Sequence, residues 1–289
     1  MIEFMVQFQG AKTFSFGTVA IRQATLNNNA GTSNALCEQL TTLCGHGLLK
    51  EALYILRGTD HKHLRLSCFT YASLLQLCLD KRSLPGAKRV HTHLTETGFT
   101  TNIYLAHKLV VLYAKLGSLQ DARLVLDDME VKNVASWTNM IQAYSKHGAD
   151  EEALSMFCKM QGNGIQPDHF TFATVLPVCA NLVAIEEGKQ MHGHIIKRGF
   201  QSDVFVGSAL VDMYAKCGYI ENARKVFDKM PKRNLVLWTA IVAGYAKIGD
   251  VDQAMELFET MPERNVYSWS VMVTAYAQAM HRIGSFVKP

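Results

Sequence analysis

The chain repeats itself, and that limits its fold more than any other feature. One register holds from Ser33 to Asn265, in units at 33–67, 68–102, 103–133, 134–168, 169–203, 204–234 and 235–265. Each unit is either 35 or 31 residues long, and a longer period of 101 residues overlies them. Cys68-Phe69-Thr70-Tyr71-Ala72 returns as His169-Phe170-Thr171-Phe172-Ala173, and His91-x-His93 returns as His192-x-His194. Self-similarity at a fixed spacing of this size predicts a solenoid in which each unit packs only on its neighbours.

Unit 134–168 indicates what is being repeated. Trp137, Ile141 and Tyr144 fall at i, i+4 and i+7, and Ala153, Phe157 and Met160 follow the same helical spacing. Gly148 breaks the first helix, Glu151 and Glu152 open the second, and Gly164 with Pro167 stops it. A lone hairpin cannot bury both apolar stripes, so the hairpins must stack. The other columns suit such packing. The eleventh position holds Tyr113, Tyr144, Tyr214, Tyr245 and Tyr276, with Cys78 and Cys179 in the two units that carry His-x-His. The twentieth is small throughout (Ala52, Ala87, Ala122, Ala153, Gly188, Ala223, Ala254), which lets two helices approach closely. The twenty-seventh is Met129, Met160, Met230 and Met261, a pliable filler between neighbours. The expected fold is all-α, a right-handed α-solenoid of helix-turn-helix units.

Residues 1–32 differ from the rest, with one acid (Glu3), two bases (Lys12, Arg22) and several hydroxyls. That composition suits either an organellar transit peptide or a disordered leader. At the other end, Val266 opens an eighth unit whose first helix runs to Gln278, with Trp269, Val273 and Tyr276 on one stripe. From Met280 to Pro289 the register is abandoned, so 266–289 is an incomplete repeat with a divergent tail. An exposed last face, and a chain shortened from a longer ancestor, are the expectation there.

Composition excludes several function classes. A net charge of +4 is mildly basic and compatible with a nucleic-acid partner. No apolar run is long enough to span a membrane. The seven cysteines form no C-x-x-C pair, which argues against zinc and against a disulfide framework. Histidines two apart on a helix face different ways, so His-x-His reads as structural. The paired glutamates at 151–152 and 186–187 open second helices, where they offset the dipole. There is no phosphate loop, no G-x-S-x-G, and no H-x-E with C-x-x-C of a zinc deaminase. The expectation is no enzyme, no cofactor, no metal and no small-molecule substrate.

Tandem 35- and 31-residue hairpins with Trp-Thr-x-Met-Ile, Tyr-x-Lys-x-Gly, Glu-Ala-Leu and Gly-Ile-x-Pro-Asp resemble pentatricopeptide repeat proteins. The mixed lengths are similar to the plant PLS subclass. Units 68–102 and 169–203 match its L type, 103–133 and 204–234 its S type, 134–168 its P type, and 235–265 a short S-like unit. Unit 33–67 departs from the pattern at its first helix. The resemblance implies single-stranded RNA binding at about one base per repeat, read by the fifth and last residues of each unit.

Carried onto this chain, the reading pairs are Thr138 with Asp168, Ser208 with Asn234, Thr239 with Asn265, and His107 with Asn133. A carboxylate only accepts hydrogen bonds, which suits the N–H groups of guanine, whereas Asn offers a donor and an acceptor, as adenine requires. Guanine is therefore expected opposite 134–168, and adenine opposite 204–234 and 235–265. His107 leaves its base undefined. Ala72 with Asn102 and Ala173 with Asp203 lack a fifth-position hydrogen-bonding group, so readout there is weak. The expected word is G-n-A-A.

Two further columns bear on RNA. The second position holds Phe69, Tyr104, Phe170, Phe205, Val236 and Tyr267, with Ala135 in the P-type unit. These side chains either stack on bases or plug the joint between hairpins. The thirteenth position holds Lys115, Lys146, Lys216 and Lys247, which either neutralise phosphates or complement helix C-termini. By resemblance the chain is a specificity factor in organellar RNA processing or C-to-U editing, in the mitochondrion or alternatively the chloroplast. A deaminase-bearing protein would act in trans. The competing class is a helical scaffold for a protein or peptide.

Overall fold

The computed structural model describes residues 29–58 and 66–286. Most of the leader therefore lies outside the described residues, as do 287–289. Among the described residues all regular structure is helical: fifteen α-helices and one short 3₁₀ turn. The chain divides into two compact units, 1–132 and 133–289.

The first unit contains α1 (Asn29–Gly45), α2 (Leu49–Gly58), α3 (Cys68–Asp80), α4 (Leu84–Glu96), α5 (Ile103–Lys115) and α6 (Leu119–Asp128). The second contains α7 (Val134–Lys146), α8 (Asp150–Gly162), α9 (His169–Leu182), α10 (Ile185–Lys197), α11 (Val204–Lys216), α12 (Ile220–Lys229), α13 (Leu235–Ile248), α14 (Val251–Thr260) and α15 (Val266–Phe286). In each unit the first helices of successive hairpins touch in order: α1, α3 and α5, then α7, α9, α11, α13 and α15. Within each unit the second helices form a separate layer, each packed on its own first helix, with α2, α4, α8, α10, α12 and α14 also touching the first helix of the next repeat. Each unit is thus a two-layer α-solenoid of helix-turn-helix repeats.

Two differences from the sequence reading stand at the ends. α1 begins at Asn29, so helix extends four residues into the stretch expected to be leader. α15 does not stop at Gln278 but runs on to Phe286 through the residues that leave the register. Nothing in that stretch is a proline, and Gly284 alone costs only about 1 kcal/mol against continuing the helix.

The boundary of each repeat is set by a capping side chain. Ser67, Asn102, Asn133, Asp168, Asp203 and Asn234 stand at the N-caps of α3, α5, α7, α9, α11 and α13, and each side chain accepts a backbone N–H of the first turn. Asn265 does the same for α15, its Oδ1 accepting Ser268 N at 2.8 Å. Such caps stabilise a helix by about 1 kcal/mol each. First helices end at a left-handed residue: Gly117, Gly148, Gly218 and Gly249, with Arg82 and Val183 at the same column in units 68–102 and 169–203.

The two repeat lengths come from the second helix. In units 68–102, 134–168 and 169–203 the second helices α4, α8 and α10 are 13 residues long, and Gly98, Gly164 and Gly199 follow just after them in the left-handed conformation. Ile165 N bonds Met160 O at 3.1 Å and Phe200 N bonds Ile195 O at 3.0 Å, closing those ends. In the 31-residue units α6, α12 and α14 are 10 residues long and end on Met129, Met230 and Met261 in extended conformation. There a basic side chain folds back to satisfy the freed carbonyls. Arg233 Nε donates to Phe227 O at 3.1 Å, Arg264 Nε to Phe258 O at 3.0 Å, and Lys132 Nζ to Met129 O at 2.6 Å. The guanidinium groups of Arg233 and Arg264 also lie over the Phe227 and Phe258 rings. The lengths differ by about one α-helical turn of 3.6 residues, so the buried face keeps its phase.

The packing columns lie in the core. Ala52, Ala87, Ala122, Ala153, Ala223 and Ala254 are fully buried, as are Cys78 and Cys179. Gly188 replaces the usual alanine because Met213 occupies the place of its Cβ, which would lie 2.5 Å from the Met213 sulfur. The histidines tie repeats together. His91 Nδ1 lies 3.0 Å from Tyr113 Oη, and His192 Nδ1 lies 3.0 Å from Tyr214 Oη. His93 lies 2.7 Å from Tyr71 Oη, which also meets Thr97, and burial pushes the Tyr71 hydroxyl up to about 12. In the second copy Phe172 replaces that tyrosine, and His194 is exposed.

Candidate nucleic-acid interface

In the second unit the exposed face of α9, α11, α13 and α15 contains a cleft of about 430 Å³, within the usual range for ligand sites of roughly 300–1,000 Å³. Its floor is small: Ala173, Ser208, Ala209, Thr239, Ala240 and Ala243, with Pro177 at one side. Phe205, Val236 and Tyr267 stand around it, and Asn234 reaches in from the start of α13. Small side chains on the inner turns make the depth, and large ones at the second position of each helix make the walls.

The second-position side chains do not plug the joints between hairpins. Exposure runs from 54% for Tyr104 to 69% for Phe69, with Phe170, Phe205, Val236 and Tyr267 between. Each projects from the first turn of its helix, beside the capping residue of the repeat before it. Lys108 lies over the Tyr104 ring, and His169 packs against Phe170 at 4.0 Å between centroids.

Fifth and last residues come together in the second unit by two routes. Ser208 Oγ lies 3.2 Å from Asn234 Oδ1 and 2.7 Å from Val204 O. Thr138 and Asp168 meet through an intermediary: Thr138 Oγ1 lies 2.8 Å from Thr171 Oγ1, which donates to Asp168 Oδ1 at 2.7 Å. Thr239 Oγ1 bonds back to Leu235 O at 2.9 Å, with Asn265 exposed beyond it. His107 is half-buried on α5, and burial lowers its pKa. Asn133 caps α7 in the other unit, its Oδ1 accepting Ser136 N at 2.8 Å.

The helix-capping role of this Asn and Asp column was missed from sequence, although Asn or Asp directly before an apolar periodic run signals an N-cap. The cap uses one side-chain atom, Oδ1. The second atom is left over: Nδ2 in Asn234 and Asn265, Oδ2 in Asp168. Capping therefore accounts for Asn or Asp at these positions without any ligand, while fixing the side chain so that its second atom is presented.

The lysine column divides. Lys216 pairs with Asp212 at 2.8 Å, and Lys247 Nζ donates to Lys216 O at 3.0 Å, at the C-terminal end of α11. Lys247 thus serves the helix terminus. Lys115 and Lys146 are exposed at the ends of α5 and α7.

Stacked helical hairpins with one capped, exposed face per unit define an α-solenoid repeat protein. The PPR repeat family model matches residues 132–181 and 233–278, and the PPR repeat model matches 208–235. The chain belongs to the pentatricopeptide repeat family. It is 43% identical over 200 residues to an Arabidopsis thaliana pentatricopeptide repeat-containing protein named as mitochondrial, covering 69% of this chain and 31% of that one. It is 38% identical over 211 residues to CRR2 of Arabidopsis thaliana, named as chloroplastic, covering 71% of this chain and 32% of that one. The chain spans about a third of the length of these relatives. Among solved structures it is similar to the pentatricopeptide repeat protein PPR10 from maize, at a TM-score of 0.53 and 19% identity, over 96% of this chain and 46% of that one. PPR10 also has a structure in complex with an 18-nt psaJ RNA element.

Proposed function

We propose that this chain binds single-stranded RNA along the exposed first-helix face of its repeats, as a sequence-selective member of the plant PLS subclass. The observation that carries the reading is the cleft lined by Phe205, Ser208, Asn234, Val236, Thr239 and Tyr267. Flat or branched walls at the spacing of one repeat, with hydrogen-bonding groups between them, suit bases stacked and read one per repeat. PPR10, which shares the fold, is found in complex with RNA.

Asp168 reads guanine, Asn234 and Asn265 read adenine, and His107 leaves the base of its own repeat undefined. Phe69, Tyr104, Phe170, Phe205, Val236 and Tyr267 stack on bases, and Lys115 and Lys146 contact phosphate. Lys216 and Lys247, held by Asp212 and by a helix end, contribute less. The chain acts in organellar RNA processing or C-to-U editing as a specificity factor without a catalytic domain, and a deaminase-bearing protein supplies the chemistry in trans. Relatives named as mitochondrial and chloroplastic support an organelle, and the mitochondrion is preferred here.

A scaffold for a protein or peptide is the second reading. It is favoured by the capping role of Asn and Asp, which explains that column without RNA. The exposed side chains at the second position weigh against it, because an aromatic or valine recurs there in five of the seven repeats. The test is Phe205→Ala in the full chain. Affinity for single-stranded RNA falls by about 1–3 kcal/mol, while the thermal midpoint holds because the ring is exposed. A wild-type chain that binds no single-stranded RNA, or a variant that binds as tightly, overturns the RNA reading.

A further inference from the structure

We infer that Thr171 is a positioning residue for base readout by the preceding repeat, a role that lies outside the fifth-and-last pair; the inference rests on the RNA reading above. Thr171 is the third residue of α9 and is fully buried, so it touches no ligand itself. Its hydroxyl sits between the two residues that meet the base. It donates to Asp168 Oδ1 at 2.7 Å, lies 2.8 Å from Thr138 Oγ1, and stands 3.4 Å from Asp168 N, whose hydrogen it accepts.

Counting hydrogens decides what the pair presents. A carboxylate only accepts, so the single Thr171 hydrogen goes to Asp168. Thr171 then accepts from Thr138, whose one hydrogen is shared between Thr171 Oγ1 and Val134 O at 2.9 Å. Thr138 has no hydrogen left for a ligand. Thr138 and the second oxygen of Asp168 therefore offer acceptors only, which complements a base edge carrying two N–H donors and opposes one carrying an acceptor.

The repeat at 204–234 works differently because its intermediary is missing. The third residue of α13 is Leu237, which has no hydroxyl, and Ser208 approaches Asn234 directly. Asn234 Oδ1 is held by Leu237 N at 2.8 Å and by Ser208, leaving Nδ2 as a donor. The third residue of the next repeat thus determines whether the reading pair is bridged or direct. Ser136 and Ser268 are buried hydroxyls at that same position behind Asn133 and Asn265: Ser136 donates to Asn133 Oδ1 at 2.9 Å, whereas Ser268 donates to the main-chain oxygen of Asn265 at 2.9 Å.

The test uses the full chain and two pairs of single-stranded RNAs. One pair differs only by G or A opposite 134–168, the other only by G or A opposite 204–234. The wild type prefers G in the first and A in the second. In Thr171→Val, which keeps the shape and removes the hydroxyl, the G preference falls by about tenfold, the worth of one hydrogen bond. The A preference at the second site is unchanged, and Thr171→Ser restores the first. Thr171→Cys, a near-isostere with a weak donor, gives an intermediate loss and serves if the valine variant does not fold. Unaltered discrimination in the valine or cysteine variant, or equal weakening at both sites, overturns the inference while leaving the RNA reading in place. A wild type that binds neither pair overturns the RNA reading itself.

Discussion

Val183 sits in the left-handed region at φ 54, where repeats 134–168, 204–234 and 235–265 place Gly148, Gly218 and Gly249. A β-branched residue there is strained by about 1–2 kcal/mol, and its side chain is mostly exposed, so little packing offsets the strain. Val183→Gly should relieve that strain and lose about 0.4–1 kcal/mol through the more flexible unfolded chain. The expected net effect is a stabilisation of about 0.5–1 kcal/mol, read as a higher midpoint in urea; a lower midpoint would show that the backbone there is unstrained. The same scale explains why the reading column was visible in the sequence while its second role was not. Asp168 and Asn234 stand out by recurrence, but recurrence cannot separate a cap from a ligand contact; the structure shows the cap, and the base contact is our proposal. Thr171 gave no signal because the residue behind each reader is Thr, Ser, Leu or Val, with no constant type.

At the scale of helices, the second helix absorbs the difference between 35 and 31 residues, and its stop depends on the residues just beyond its last turn. The Gly of Gly-Ile-Gln-Pro-Asp turns the longer helix, whereas Arg233 and Arg264 close the shorter ones by capping carbonyls from outside. Glycine and proline were readable as stops from the sequence; the arginines were not, because their partners are backbone atoms. The His-x-His pairs were read as structural, but only the structure identifies the partners: His91 and His192 meet the tyrosine of the next repeat, whereas His93 meets Tyr71 of its own repeat and His194 is exposed. Burial lowers the pKa of His91, and burial with the nearby Lys229 lowers that of His192. A histidine depressed in the folded state contributes stability above its unfolded value of about 6.5 and loses it as pH falls through the folded value. The thermal midpoint should therefore drop by a few degrees between pH 7.5 and pH 5.5, and His192→Gln should narrow the drop. An identical drop in the variant would place the acid sensitivity elsewhere.

For the whole molecule, the period predicted stacked hairpins, and each compact unit is built that way. The ends were less legible. A helix starting at Asn29 and another running to Phe286 reflect the absence of strong breakers, which a comparison of columns does not detect. Along α15, Trp269, Val273, Tyr276 and Met280 are exposed. The phosphate column was legible only as lysine; that Lys216 and Lys247 are engaged by Asp212 and a helix end requires the structure.

The central claim is that repeats present chosen hydrogen-bonding atoms to successive RNA bases. The most direct measurement selects bound sequences from a random single-stranded RNA pool with the wild-type chain and with Asp168→Asn, which keeps the cap on α9 and exchanges an acceptor for a donor. A G-n-A-A core is expected for the wild type and a shift of that G toward A in the variant, with the other letters unchanged. No enrichment from a folded wild-type chain, or the same core from both proteins, would contradict the claim.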